Sequence, residues 1–150
     1  MDEELINDFG VLLGAAARLE RIAARAFERE CGISHPMFEV LLYLSKVPGG
    51  LPMGEIAGDL ILTSGGMTRL IDRMVAAGLV ARRPSATDRR IQLAELTPLG
   101  RDTLNRAKEV HTRTLQRVFA DPLTADQRTA LLEALHTLNT QARTELGTLG

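Results

Sequence analysis

Residues 63–90 read TSGGMTRLIDRMVAAGLVARRPSATDRR, and this stretch decides how the rest of the chain is read. Met67, Leu70, Ile71 and Met74 fall at the spacing of one buried helix face. The helix they predict starts near Thr63 or Ser64, runs to Ala77 and is stopped by Gly78. Its other side shows Gly65, Thr68, Arg69, Asp72 and Arg73. Leu79–Arg83 and Ile91–Leu96 then read as two short strands joined by a polar hairpin loop, residues 84–90. Six arginines (Arg69, Arg73, Arg82, Arg83, Arg89, Arg90) against Asp72 and Asp88 give this stretch a charge of +4 in a chain of net charge −1. Any one of them alone is ordinarily a solvated surface charge. Six within one structural unit form a local anion-binding footprint.

Working outward, a short helix at about 53–60, with Ile56, Ala57 and Leu60 as its buried face, precedes this one. Pro48-Gly49-Gly50 breaks the chain before it. Further upstream, Ser34 caps a helix with Pro36 in its first turn and with Phe38, Leu41, Leu42 and Leu44 turned inward. Residues 5–27 form a long amphipathic helix whose seam is Leu5, Phe9, Leu12, Ala16, Leu19, Ala23 and Ala26, closed by Gly32. Downstream, Thr97-Pro98 starts a helix that runs to about Ala120. Asp121-Pro122 breaks it, and Thr124 to Gln127 has capping-box spacing for a last helix to about Leu146. The fold class is mainly α with a small β-hairpin wing. A winged helix-turn-helix at 33–97 is flanked by helical regions, 1–32 and 98–150, assigned to dimerisation.

Two helices joined by Ile61-Leu62-Thr63 form a helix-turn-helix. Docking its second helix in the DNA major groove requires a first turn free of bulk. Thr63, Ser64, Gly65, Gly66 and Thr68 supply that and expose backbone N–H groups near phosphates. Arg69 faces the same way and suits a bidentate pair to guanine. Arg73, one turn on, is placed for a phosphate or for wing support. Arg89 and Arg90 end the hairpin loop, where a wing enters the adjacent minor groove. Alone, the helix at 64–77 would read as structural; with a basic wing at this separation it reads as DNA-binding.

The run Gly54-Glu55-Ile56-Ala57, the stretch Thr63–Met74 and Ala77-Gly78-Leu79-Val80 resemble the MarR family of transcriptional regulators. So do Asp88-Arg89-Arg90 and Leu96-Thr97-Pro98-Leu99-Gly100. The resemblance spans essentially the whole chain. It implies a triangular obligate homodimer that represses nearby genes from a pseudo-palindromic operator in double-stranded DNA, often relieved by a small anionic or phenolic compound. It also implies that Ser64, Thr68 and Arg69 read the major groove, that Arg90 is the minor-groove wing arginine, and that Asp88 supports the wing. Family effector sites lie where the dimerisation helices meet the winged helix. Here Arg18, Arg21 and His35 are the candidate ligand-binding residues for an aromatic acid or phenol, although arginines on a long helix are more often solvated. Relatives that sense peroxide carry a cysteine near the start of the first helix; Cys31, at its end, reads as a packed thiol. The urate-responsive branch uses a tryptophan, and this chain has none.

The 150 residues, 45% hydrophobic and 25% charged, are ordinary for a globular protein with a real core. One cysteine excludes an intrachain disulfide framework. An acidic N-terminus and the lack of an ~18-residue apolar run point to a cytoplasmic protein with no membrane span. No Ser/His/Asp arrangement or phosphate-binding glycine loop suggests an enzyme, and nothing calls for a cofactor or metal. The alternative reading is an effector-blind or architectural DNA-binding winged-helix protein.

Overall fold

The computed structural model describes residues 2–59 and 64–148. The predicted turn Ile61–Thr63 and the candidate Thr63 lie outside them. The described elements are α1 (Asp2–Cys31), α2 (His35–Leu44), β1 (Leu51–Pro52), α3 (Met53–Asp59), α4 (Ser64–Ala76), β2 (Val80–Pro84), β3 (Gln92–Leu96), α5 (Pro98–Leu115) and α6 (Ala125–Thr148). The order matches the sequence reading, with one addition. The hairpin β2–β3 is joined by β1, giving an antiparallel sheet of order β1-β3-β2. β1 is two residues long and ends in Pro52, so it carries no alternation signal. Its place at the sheet edge is where a proline is tolerated.

Caps set the helix starts. Ser34 accepts a hydrogen bond from the Met37 N–H at 3.3 Å, with Pro36 in the first turn. At α6 the capping box is reciprocal. The Gln127 N–H donates to Thr124 Oγ1 at 3.1 Å, and the Thr124 N–H donates to Gln127 Oε1 at 2.9 Å. Between α2 and β1, Gly50 has φ +88°, and a Cβ there would stand 2.9 Å from the Ala94 carbonyl oxygen. Only glycine lets this turn approach β3 so closely.

Two compact units are distinguished, the first ending at Thr112 and the second starting at Arg113. In the first, Phe27, Val40, Leu41, Ile56, Met67, Leu70, Ile71, Met74, Val80 and Leu104 are almost wholly buried. All four residues of the predicted α4 stripe are among them. On α2 the inward set includes Val40, while Leu42 is only half-buried. The predicted α1 seam is buried within the chain only at Ala23 and Ala26. Leu5 and Phe9 stay 73% and 59% exposed. In the second unit the helical path widens into a π-helical turn, Gln116–Ala120, before Asp121. There the Asp121 N–H donates to the Gln116 carbonyl at 2.8 Å, so the break comes where the sequence placed it.

Candidate nucleic-acid interface

α4 buries one side and exposes the other. Thr68, Arg69, Asp72 and Arg73 are exposed opposite Met67, Leu70, Ile71 and Met74. This outer side borders an open groove of about 620 Å³ lined by Pro36, Gly66, Arg69, Leu70, Asp72 and Arg73. Ser64 opens the helix and Gly65 follows it, so the first turn of α4 carries the short residues that the reading required.

The six arginines of the basic stretch divide into two groups. Arg82 on β2 is ion-paired with Asp72 on α4. Arg83 donates from Nε to Glu95 Oε2 on β3 at 3.0 Å and from a terminal nitrogen to the Gly49 carbonyl. Arg90 is held by Asp88 through its backbone N–H at 3.0 Å and through Nε and Nη2, each at 3.2 Å. Arg90 therefore stands 91% exposed yet oriented. The Arg90 guanidinium and N–H, bonded to Asp88, hold its carboxyl below the usual carboxylate value. Arg69, Arg73 and Arg89 make no ion pair or hydrogen bond with any described residue. Among the described residues, the ion pair that links α4 to β2 is made by Asp72.

The sequence reading missed the contacts that seat this unit. Thr97 Oγ1 donates to the Gly78 carbonyl and accepts from the Gly100 N–H at 3.0 Å, while the Thr97 N–H donates to the Leu79 carbonyl at 3.2 Å. One threonine thus caps α5 and fastens it to the end of α4. A Cβ on Gly100 would lie 2.0 Å from the Leu79 carbonyl oxygen, so backbone meets backbone there. The Leu-Thr-x-x-Gly signature was visible; its contact with Gly78-Leu79 was not.

The candidate ligand residues are less concentrated. Arg18 and Arg21 are exposed on α1, with the Arg18 guanidinium lying back over Gly14. His35 is half-buried, its Nδ1 is 3.6 Å from Glu20 Oε1, and its ring stacks at 5.8 Å on Phe27. No described ion pair or hydrogen bond joins either arginine to His35. His35 instead belongs to a ring cluster with Phe27, Phe38 and His111. The His111 ring lies 5.0 Å from Phe27, 5.1 Å from Phe38 and 6.4 Å from His35. His111 Nδ1 is buried without a partner. Burial first, and the neighbouring His35 charge second, push the His111 pKa down. Cys31 is half-buried at the end of α1. Among the described residues, no group of three His, Cys, Asp or Glu is placed to hold a metal, and no helix is long and apolar enough to cross a membrane.

Residues 32–91 match the model of the MarR family. The chain is 35% identical over 116 residues to the HTH-type transcriptional repressor Rv2887 of Mycobacterium tuberculosis, covering 77% of this chain and 80% of that protein. Its fold is similar to Sco3205, a MarR family regulator from Streptomyces coelicolor solved in complex with DNA. The TM-score is 0.83 at 27% identity, over 93% of this chain and 87% of that one. The repressor CouR, bound to a 23-mer DNA duplex, gives a TM-score of 0.78 at 30% identity, over 86% and 89% of the two chains.

Proposed function

Since the chain belongs to the MarR family of DNA-binding transcriptional regulators, we infer that it is a homodimeric, sequence-specific repressor released from its operator by a small anionic or phenolic ligand. One observation carries the DNA-facing part. An exposed α4 side with unengaged Arg69 and Arg73 stands beside a wing whose Arg90 is oriented by Asp88. A helix for the major groove and a positioned arginine for the minor groove are the two parts that winged-helix docking needs. Residues 33–97 are assigned to this lobe. Gly65, Gly66, Thr68 and the start of α4 near Thr63 and Ser64 approach the backbone and base edges, and Arg89 approaches a phosphate.

Residues 1–32 and 98–150 are assigned to dimerisation. Supporting this, Leu5, Ile6, Phe9 and Leu13 of α1 and Leu138 and Leu146 of α6 are all more than half exposed. Apolar surface of this extent on long helices marks an interaction face, and a second copy of the chain is the partner that this reading assigns to it. Binding DNA places the working protein in the cytoplasm. Release by a ligand requires that the ligand bind better to a spacing of the two α4 helices that mismatches the groove. Arg18, Arg21 and His35 are the groups assigned to its charge.

Footprinting on the DNA upstream of the protein's own reading frame tests the whole reading, with and without a panel of aromatic acids. A two-fold protected site that disappears with one acid is expected. Uniform protection of unrelated DNA would favour an architectural binder, and a footprint indifferent to every acid an effector-blind regulator.

A further inference from the structure

β2 places two consecutive arginines on opposite faces of the sheet, because side chains alternate along a strand. Arg82 leaves one face for Asp72 on α4. Arg83 leaves the other, crosses β3 at Glu95 and ends on the Gly49 carbonyl beside β1. Register explains the reach. Ala81 pairs with Glu95 and Arg83 with Leu93, so Arg83 and Glu95 are diagonal neighbours on one face. β1 runs directly into α3, the first helix of the helix-turn-helix. Arg83 therefore joins three pieces: the outgoing strand of the wing, its return strand, and the turn that feeds α3.

We propose that Arg83 is a positioning residue for DNA binding: through Glu95 and the Gly49 carbonyl it fixes the wing's angle to the helix-turn-helix and so delivers Arg90 to the minor groove. The proposal rests on the DNA-binding reading above. Arg83 is not a phosphate ligand in this arrangement. Its Nε is committed to a carboxylate that already neutralises it, and that carboxylate would repel a phosphate brought alongside. The pair is about 40% and 36% exposed, so its value to folding is small, as for other surface pairs. Its effect is on direction: Arg83 is the penultimate residue of β2, so the brace holds the strand immediately before the loop that carries Asp88 and Arg90.

The test uses the full-length protein and a duplex enriched from a random library by wild type. Arg83→Met keeps the stem and Glu95→Ala keeps the arginine. Each is measured alone and combined with Arg90→Ala, for duplex affinity, its salt dependence and thermal melting. Both single variants should bind about tenfold more weakly, the scale of coupling within one ion-pair network. Melting and salt slope should stay close to wild type, and either change should cost little more when made in the Arg90→Ala background. The Glu95→Ala result is decisive, since removing a negative charge should tighten binding unless the carboxylate positions something. Unchanged or tighter binding by Glu95→Ala overturns the proposal. So does a salt slope smaller by about 0.9 in Arg83→Met, the signature of one lost phosphate contact, or full additivity with Arg90→Ala. If Arg83→Met does not fold, the Glu95→Ala pair of measurements decides alone. A wild type that enriches no duplex overturns the DNA-binding reading, and this proposal with it.

Discussion

Asp88 grips Arg90 three ways, accepting from its backbone N–H at 3.0 Å and from two guanidinium nitrogens at 3.2 Å. This fixes the side chain sideways and leaves Nη1 uncommitted. Arg90→Ala should weaken operator binding strongly with little change in melting temperature, because the side chain buries almost nothing. Asp88→Ala should weaken binding as well, despite removing a negative charge near phosphate. The Asp88 carboxyl is held below its ordinary 3.8. The brace is therefore complete above that value and is lost only as pH falls through the lowered one. Binding measured from pH 6 to 8 should show no titration of this contact. Tighter binding by Asp88→Ala would make the carboxylate a repulsive charge and not a brace.

Arg69 and Arg73 share the exposed side of α4 but should fail differently. Arg69→Ala should relax base preference and cost ~1–3 kcal/mol, if its pair to guanine is bidentate. Arg73→Ala should weaken operator and random duplex alike and lower the salt slope by about 0.9. Competition binding with single-base operator variants separates them. Equal losses on every sequence would move Arg69 to the phosphates.

The elements were legible wherever one periodicity ran long enough. The α4 stripe, the two wing strands, the Ser34 and Thr124 caps and the breaks at Gly32 and Asp121 all follow from local rules. Contacts between elements were not legible. Arg82 and Arg83 read as part of a basic footprint because their partners, Asp72 and Glu95, lie 10 and 12 residues away. They become neighbours only when strand register is known. The packing of His111 was not legible either, since its ring partners come from α1 and α2. The α1 seam was read as helical and as too extended for one small domain to cover, and Leu5 and Phe9 are indeed exposed within the chain.

Gly100 offers the sharpest stability test. A methyl there would sit 2.0 Å from the Leu79 carbonyl oxygen, and neither backbone can yield without moving α5 off the end of α4. Gly100→Ala should cost more than the ~1–3 kcal/mol of ordinary overpacking, because the clash is with main chain. Thr97→Ala removes the cap and the bond to Gly78, for ~1–2 kcal/mol. Urea melts measure both. Gly100→Ala milder than Thr97→Ala would mean that the close approach relaxes freely.

Assembly is tested on α1. Phe9 and Leu5, at 59% and 73% exposure, lie on the same side of the helix one turn apart. Sedimentation at micromolar concentration should show a dimer, in which these side chains join an interface above ~2,000 Å². Phe9→Glu should dissociate it and abolish operator binding, leaving the buried core of the first unit intact. A monodisperse wild-type monomer would remove the dimer from the reading.

His111 sets a pH dependence of stability whose sign can be worked out. Its folded pKa lies below the ordinary 6.5 because burial and the His35 charge both disfavour the imidazolium. The unfolded chain therefore binds the proton more readily. The contribution is complete above pH 6.5 and is lost as pH falls through the lowered folded value. His35 is the titratable group whose charge acts on His111, and Glu20, 3.6 Å from His35 Nδ1, faces that ring in turn. Phe27 and Phe38 supply the remaining ring contacts, and neither can accept a proton from Nδ1. Acidification from pH 7 to 5 should lower the melting temperature, and His111→Phe should flatten that slope while keeping the ring stack. His35→Phe should reduce the slope only in part, since burial remains the larger cause. An equal slope in wild type and His111→Phe would place the acid sensitivity on other groups.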